Sequence, residues 1–303
     1  MTNGGSGDGR LSKNQRREAA REKAAILREQ HKKKERRGKW ILQGSLIVVS
    51  LAIVASVTLI IVNSIRPPSP GPQNMLSDGI TIGEGFAAVP TAAIAAGEEP
   101  VETTQDPESD ALAIQIWVDY QCPICAEFEE ANNEQISTLI EQGVATIEIN
   151  PVAILDRASQ GERYSTRAAN AAACVANYSP DTFYGFNQLM FANQPEEQTT
   201  GLTDEEIFSL AEDAGVQDAD SIEECITGQD FRRWVTSATD RATSDPALLN
   251  ADGQFGTPTV LVNGQRYEGA IDDAAQFAQF IASADGAAFS EESSASPSPS
   301  PTP

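Results

Sequence analysis

Cys122 and Cys125 are the residues of this chain best suited to chemistry, because two thiols one helical turn apart can close to a disulfide and reopen. Pro123 and Ile124 lie between them. An apolar run, residues 113–118, precedes the pair, and a stretch with helical spacing of apolar residues follows it. The sequence therefore predicts a redox-active dithiol at a junction between a strand and a helix.

The residue types at this junction favour a thiolate on the first cysteine. If the strand ends at Tyr120 or Gln121, Cys122 takes the N-cap and Pro123 the first helical position, where its missing N–H costs nothing. The Cys122 sulfur would then accept a hydrogen bond from the N–H of Cys125, and the helix dipole favours negative charge there. We expect Cys122 to be the nucleophile with a lowered pKa, and Cys125 to be a more buried resolving thiol.

Two alternatives to a redox role remain open for this pair. A zinc site needs further ligands, and the other cysteines, Cys174 and Cys225, are isolated, while the single histidine, His31, lies far upstream. A purely structural short-loop disulfide is the second alternative, although Pro123 and the strand–helix context fit redox use better. We expect neither a metal site nor a cofactor.

The other two cysteines suggest a second disulfide. Four cysteines allow three full pairings, and the short spacing of Cys122 and Cys125 favours pairing them, which leaves Cys174 with Cys225. The alternative is two buried free thiols, which are less common outside the cytoplasm.

The elements that would position these residues follow an α/β pattern. We predict strands at 111–120, 144–155, 259–262 and 265–268, and helices at 122–141, 163–177, 181–192, 203–214, 219–227, 230–243 and 271–284. Asn263-Gly264 predicts a two-residue hairpin. Two segments, Thr203–Glu206 and Ser221–Glu224, have the capping-box form. The order is β-α-β, a block of helices, then β-β-α.

Charge divides the chain into two parts. Residues 1–40 hold 13 Lys and Arg against 5 Asp and Glu, whereas the remainder holds 8 against 39. Residues 41–62 carry no charge, and a helix of that length spans roughly the 30 Å core of a bilayer. By the positive-inside rule we expect a basic cytoplasmic arm at 1–40, a single transmembrane helix at 41–62, and an extracytoplasmic remainder of the chain.

This segment fits an uncleaved signal-anchor better than a cleaved signal peptide, since about 40 residues precede it and it has full spanning length. The basic arm is interpreted as a topology signal that also touches anionic lipid, rather than as a nucleic-acid site. The acidic remainder argues against a nucleic-acid partner.

The domain boundaries follow from composition. Residues 63–110 are expected to be an extracytoplasmic linker that begins with a Pro-rich stretch, and residues 79–83 could form an edge strand within it. The folded domain is predicted at 111–284, with a helical insertion at about 160–245. The Ser/Pro-rich residues 285–303 are expected to be disordered.

Residues 117–125, Trp-Val-Asp-Tyr-Gln-Cys-Pro-Ile-Cys, together with the helical insertion and Gly-Thr-Pro-Thr-Val at 256–260, resemble the thioredoxin superfamily. Cys-Pro-x-Cys with inserted helices is similar to its DsbA-like branch, in particular the membrane-anchored extracytoplasmic proteins of actinobacteria. The resemblance implies a thioredoxin-like α/β fold with an α-helical insertion, preceded here by one transmembrane helix. It also implies that Pro258 is cis beside the dithiol and that Thr257 offers backbone groups to a bound peptide.

The same resemblance implies an enzyme, a protein thiol–disulfide oxidoreductase, with exported cysteine-containing proteins as substrates. A membrane redox partner, of the quinone-linked oxidase kind that serves this family, would recycle it. Oxidative disulfide formation is the expected direction. The alternatives are a disulfide reductase or isomerase, and a non-catalytic anchored binding module with a structural disulfide.

The chain departs from the family pattern at two positions. Ile124 stands where strongly oxidising members have a histidine that stabilises the thiolate, so the pKa of Cys122 should be less depressed. Ile116 stands where many relatives have a buried acid, and Asp119 is the nearest carboxylate. Asp119 could assist proton transfer at Cys125 or cap the end of the strand, and we favour the cap because acids are common at such turns.

Overall fold

A five-stranded mixed sheet lies at the centre of the part of the chain that the computed structural model describes, which is Lys23 and residues 69–103 and 111–295. Its strands are β1 (Ile80–Ile82), β2 (Leu112–Val118), β3 (Ala145–Pro151), β4 (Thr259–Val262) and β5 (Gln265–Arg266). In space they follow the order β1-β3-β2-β4-β5. β2 and β3 are parallel, and the other neighbours are antiparallel.

One helix follows β2, a block of helices separates β3 from β4, and a last helix follows β5. The helices are α1 (Pro123–Glu141), α2 (Tyr164–Tyr178), α3 (Phe183–Ala192), α4 (Asp204–Asp213), α5 (Ala219–Gly228), α6 (Arg232–Ser244) and α7 (Ala274–Ala295). This confirms the predicted thioredoxin-like α/β fold with a helical insertion, which α2 to α6 form.

Short sequence signals mark several element ends. Thr203 caps α4 with the predicted capping box, in which its side chain and that of Glu206 each bond the other's backbone N–H. The second predicted box does not start a helix, because α5 already begins at Ala219 and Ser221 lies inside it. Asn263 and Gly264 have φ of 49° and 75°, as a tight turn between β4 and β5 requires.

The strand predicted at 144–155 ends earlier, at Pro151. The N–H of Val152 still bonds to the Val118 carbonyl, at 2.8 Å. The next N–H groups leave the sheet: Ala153 donates to the side chain of Thr239, and Ile154 and Leu155 donate to that of Asp119. Side chains thus take up the backbone donors where the pairing of β3 ends.

Residues 69–103, which we expected to be linker, instead pack on the folded domain. Met75, Ile80, Ile82 and Ile94 are buried in the main core. β1 lies where an edge strand was expected, antiparallel to β3. Composition alone suggested a linker because this segment is rich in Pro, Gly and Ala, and its apolar residues are scattered rather than periodic.

The last helix is longer than predicted. α7 continues to Ala295, although we placed the end of the domain at residue 284. Helix-breaking composition begins only at Pro297, so nothing in residues 285–295 forces an earlier end.

Within the described residues, no helix is both long and apolar enough to cross a bilayer. The predicted transmembrane segment, residues 41–62, lies outside them, as does the predicted basic arm except for Lys23.

Candidate functional site

The dithiol lies where β2 gives way to α1. Cys122 has extended backbone angles at the N-cap of α1, and Pro123 is in the first turn. The N–H of Cys122 bonds back to the carbonyl of Asp119 at 2.9 Å, which closes the turn between strand and helix. Neither Cys122 nor Cys125 is in a disulfide, so the structure shows the reduced pair.

The two thiols differ in access to solvent. Cys122 is 6% exposed and Cys125 only 1%, in the order predicted for an attacking and a resolving thiol. The predicted cap hydrogen bond from the N–H of Cys125 to the Cys122 sulfur is not formed with full hydrogen-bond geometry, although this N–H still helps to lower the pKa of Cys122. The neutral thiol donates instead to the carbonyl oxygen of Thr257, at 3.2 Å.

The surroundings shift the two thiol pKa values in opposite directions. A hydrogen bond from the Cys125 thiol, helped by the side chain of Thr257 and the backbone N–H of Cys125, lowers the pKa of Cys122 to about 7, against the effects of burial and of the negative Asp119. Burial, together with the hydrogen bond to Cys122, raises the pKa of Cys125 well above its usual value. Near neutral pH, Cys122 can therefore carry the thiolate while Cys125 holds the proton.

Thr257 and Pro258 meet the dithiol from the start of β4. The Thr257–Pro258 peptide bond is cis, as the family resemblance implied. The Thr257 carbonyl points at the Cys122 sulfur, although 135 residues separate the two in sequence. The structure thus brings the two predicted segments of the site together.

Asp119 is completely buried, and its carboxylate connects the turn between β2 and α1 to the loop that follows β3. One carboxylate oxygen accepts from the N–H of Gln121 at 2.9 Å, and the other accepts from the N–H groups of Ile154 and Leu155 at 2.8 and 2.9 Å. Burial raises the pKa of Asp119 to about 6, although these hydrogen bonds oppose the rise. The contacts support the cap role for Asp119 that the sequence favoured.

Ile124 presents its side chain to solvent beside the dithiol, with 43% of it exposed. It has no group that could donate to the Cys122 sulfur. The lowering of the Cys122 pKa therefore comes from Cys125 and Thr257 rather than from the residue between the cysteines.

The sequence did not reveal that α3 and the residues just after it contact the turn between β2 and α1. The side-chain amide of Gln194, two residues beyond α3, donates to the carbonyls of Tyr120 (3.1 Å) and Cys122 (2.9 Å). The Tyr120 hydroxyl donates to Asn187 at 3.0 Å, and its ring lies 5.1 Å from that of Phe191. A glutamine just after a helix carries no local signal of such a contact, so no pattern in the sequence could have identified it.

Cys174 and Cys225 form a disulfide between α2 and α5, with a Cα–Cα distance of 5.9 Å. This is the pairing inferred by elimination, and it lies within the helical insertion rather than at the dithiol. Among the described residues, no cluster of three His, Cys, Asp or Glu side chains is arranged to hold a metal ion.

Comparisons with known proteins agree with this geometry. A family model described as Thioredoxin matches residues 107–282, more than half of the chain. The reduced disulfide bond oxidoreductase DsbG from Mycobacterium tuberculosis is 26% identical, with a TM-score of 0.50, over 70% of this chain and 94% of that one.

Two further solved structures are similar. Reduced DsbA from Mycobacterium tuberculosis is 25% identical, with a TM-score of 0.49, over 68% of this chain and 99% of that one. Oxidised BdbD from Bacillus subtilis is 18% identical, with a TM-score of 0.50, over 73% of this chain and 99% of that one. No curated protein matches this chain. From the family match and the arrangement of its dithiol, the chain belongs to the thioredoxin family and is an oxidoreductase, with a fold similar to that of the disulfide bond oxidoreductase DsbG.

Proposed function

We propose that this chain is a membrane-anchored, extracytoplasmic thiol–disulfide oxidoreductase that forms disulfides in exported proteins. One observation carries the proposal. The Cys122 thiol stands at the N-cap of α1 with its pKa lowered to about 7, and a protonated, more buried Cys125 lies one turn behind it. An attacking thiol and a resolving thiol need this difference.

In the oxidising direction, Cys122 and Cys125 begin as a disulfide. A substrate thiolate attacks the Cys122 sulfur, the bond between the two cysteines breaks, and Cys125 leaves and takes up a proton. A second substrate thiolate then attacks the substrate sulfur of the mixed disulfide and releases Cys122 as a thiolate. The substrate loses two electrons and two protons as its disulfide forms, and the dithiol gains the two electrons.

Thr257 would position the substrate in this cycle. In the reduced protein its carbonyl accepts a hydrogen bond from the Cys122 thiol, with 3.2 Å between sulfur and oxygen. A Cys122 that is linked to substrate has no S–H, so the Thr257 carbonyl becomes free to accept an N–H from the substrate backbone. Substrate would then lie alongside Thr257 and Pro258 as an extended strand.

The site of action is proposed from the sequence. The basic residues 1–40, the uncharged residues 41–62 and the acidic remainder support an N-terminus in the cytoplasm and a catalytic domain outside. Exported proteins with cysteines would be the substrates, and a membrane partner of the quinone-linked oxidase class would accept the two electrons from Cys122 and Cys125. Nucleic acid is not among the proposed partners.

One observation favours a second candidate, a reductase or isomerase. A pKa of about 7 at Cys122 is close to that of the reducing dithiol of thioredoxin, whereas strongly oxidising dithiols lie much lower. Ile124 supplies no charge that could lower it further. Titration of the dithiol in glutathione buffers measures its reduction potential, which decides between the two directions. For this two-electron couple, a difference of about 30 mV corresponds to roughly 1.4 kcal/mol.

The decisive experiment is the substitution Cys125→Ser in the full-length protein, expressed in its native host so that its natural substrates are present. Without a resolving thiol, mixed disulfides between Cys122 and substrates should accumulate and migrate as high-mass bands that collapse on reduction. The matched control, Cys122→Ser with Cys125→Ser, should trap nothing. Absence of trapped partners in the single variant would contradict the proposed catalysis and favour a binding module.

A further inference from the structure

The turn that carries Cys122, residues 119–122, is held at Tyr120 by three contacts from α3 and from Gln194 just after it. The Tyr120 hydroxyl donates to Asn187 of α3 at 3.0 Å, and its ring lies 5.1 Å from that of Phe191 of α3. Its carbonyl accepts from Gln194 at 3.1 Å. Tyr120 is completely buried, so these contacts fix it on the side of the turn that faces the insertion.

Gln194 extends this hold to the reacting cysteine itself. Its side-chain nitrogen lies 2.9 Å from the Cys122 carbonyl as well as 3.1 Å from that of Tyr120. An amide nitrogen carries two hydrogens, so each carbonyl can receive one. The Cys122 carbonyl is also the first acceptor of α1, since the N–H groups of Cys125 and Ala126 bond to it at 3.0 and 3.3 Å.

We propose that Gln194 is a positioning residue for the reactive turn: it clamps the carbonyls of Tyr120 and Cys122 and so holds the Cys122 sulfur next to Cys125 and the side chain of Thr257. The inference rests on the proposed function only in taking Cys122 as the reacting thiol. Gln194 does not touch the reacting sulfur, so it acts through the backbone of the turn.

The clamp has two physical consequences. It fixes the backbone of Cys122, so that the sulfur stays within reach of the hydrogen bonds from the Cys125 thiol and the Thr257 side chain, which favour a thiolate. It also places the positive hydrogens of an amide beside the N-cap, where they favour negative charge as the N-terminus of a helix does. Both effects favour the thiolate, so loss of the clamp should make Cys122 a weaker acid.

The test is Gln194→Met in the reduced full-length protein, with Gln194→Asn as a second variant. Methionine has a similar length but no donor, and asparagine keeps the amide on a chain one carbon too short to reach both carbonyls. The rate of Cys122 alkylation is measured against pH, with mass spectrometry to assign the site. In both variants the midpoint should rise, and the rate at pH 7 should fall by about threefold, the effect of losing roughly one net hydrogen bond.

Gln188→Met is the matched control. Gln188 lies on α3, and its side-chain amide donates to Asn133 at 2.7 Å and Ser137 at 3.5 Å, both in α1 beyond the turn. Its substitution should leave the alkylation midpoint unchanged. An equal rise in the Gln188 variant would mean that α3 has merely loosened, and that result would overturn the proposal, as would an unchanged midpoint in folded Gln194 variants.

The outcome is separate from that of the proposed function, because alkylation needs no protein substrate. A Cys125→Ser variant that traps nothing, beside Gln194 variants that shift the midpoint, would reject the catalysis and keep the clamp. A Cys125→Ser variant that traps substrates, beside folded Gln194 variants with an unchanged midpoint, would support the catalysis and contradict the role of Gln194.

Discussion

At the scale of single residues, the site gives two cysteine side chains different thiol pKa values and so different reactivity. Cys122 at the N-cap of α1 has its pKa lowered to about 7, whereas burial raises that of Cys125. Three positions separate them, and the difference comes from the hydrogen bonds of Cys125 and Thr257 to the Cys122 sulfur and from the deep burial of the Cys125 sulfur. Asp119 adds a buried carboxyl whose pKa is raised to about 6.

The raised pKa of Asp119 predicts a particular dependence of stability on pH. The folded protein keeps the Asp119 proton up to about pH 6, while the unfolded chain loses it near the ordinary value of 3.8. Between these values the native state binds more protons, so this group's contribution to the free energy of unfolding falls as pH rises. The fall totals about 3 kcal/mol and is complete above pH 6.

Asp119→Asn should abolish that fall. Denaturant unfolding of parent and variant from pH 4 to pH 7 should show the parent losing stability relative to the variant as pH rises. Asp252→Asn, at an exposed carboxyl, is the control and should leave the pH profile unchanged. Parallel profiles for parent and Asp119→Asn would show that Asp119 is ionised alike in both states.

At the scale of elements, the segment before β2 is part of the domain rather than a tether. Asp78, next to β1, accepts two hydrogen bonds from Arg241 of α6, both at 2.6 Å, and one from the Trp234 ring nitrogen at 3.0 Å. This ties the edge of the sheet to the insertion. Asp78 is only 8% exposed, so these bonds are largely shielded from water.

Asp78→Ala should therefore destabilise the domain strongly. It leaves the Arg241 guanidinium and the buried Trp234 N–H without their partner, which costs about 3 kcal/mol. Thermal or denaturant unfolding measures the loss. Asp240→Ala, an exposed acid beside Arg241, should cost far less, and similar losses for the two variants would show that the Asp78 contacts contribute little.

At the scale of the whole molecule, the two cysteine pairs have different tasks. Cys174 and Cys225 are both buried and join α2 to α5 across a separation of 51 residues, within the insertion that also supplies α3. The dithiol lies outside this bridge, at the junction of β2 and α1. The second pair therefore joins two helices of the insertion at a place apart from the dithiol.

Replacing Cys174 and Cys225 together by Ala should lower the free energy of unfolding by about 4 kcal/mol, because a closed loop of this size restricts the unfolded chain. The alkylation midpoint of Cys122 should not move in the folded variant. Equilibrium unfolding and the alkylation profile check the two parts. A shifted midpoint would mean that the bridge also shapes the reactive turn.

The sequence by itself determined where the dithiol lies, the order of strands and helices, and the Thr203 cap and Asn263-Gly264 turn. These features depend on local spacing and residue type, which a chain displays without being folded. It misjudged residues 69–103, because their apolar residues become core only when β1 pairs with β3.

Only the tertiary structure decided which distant groups meet, at the dithiol and elsewhere. Thr257 reaches Cys122 across 135 residues, Gln194 across 72, and Asp78 reaches Arg241 across 163. Such contacts are set by how the sheet and the insertion pack together, and a glutamine or an aspartate carries no local mark of its future partner. The acidity of Cys122 depends in part on Thr257, so the chemistry predicted from two cysteines was fixed only by the folded chain.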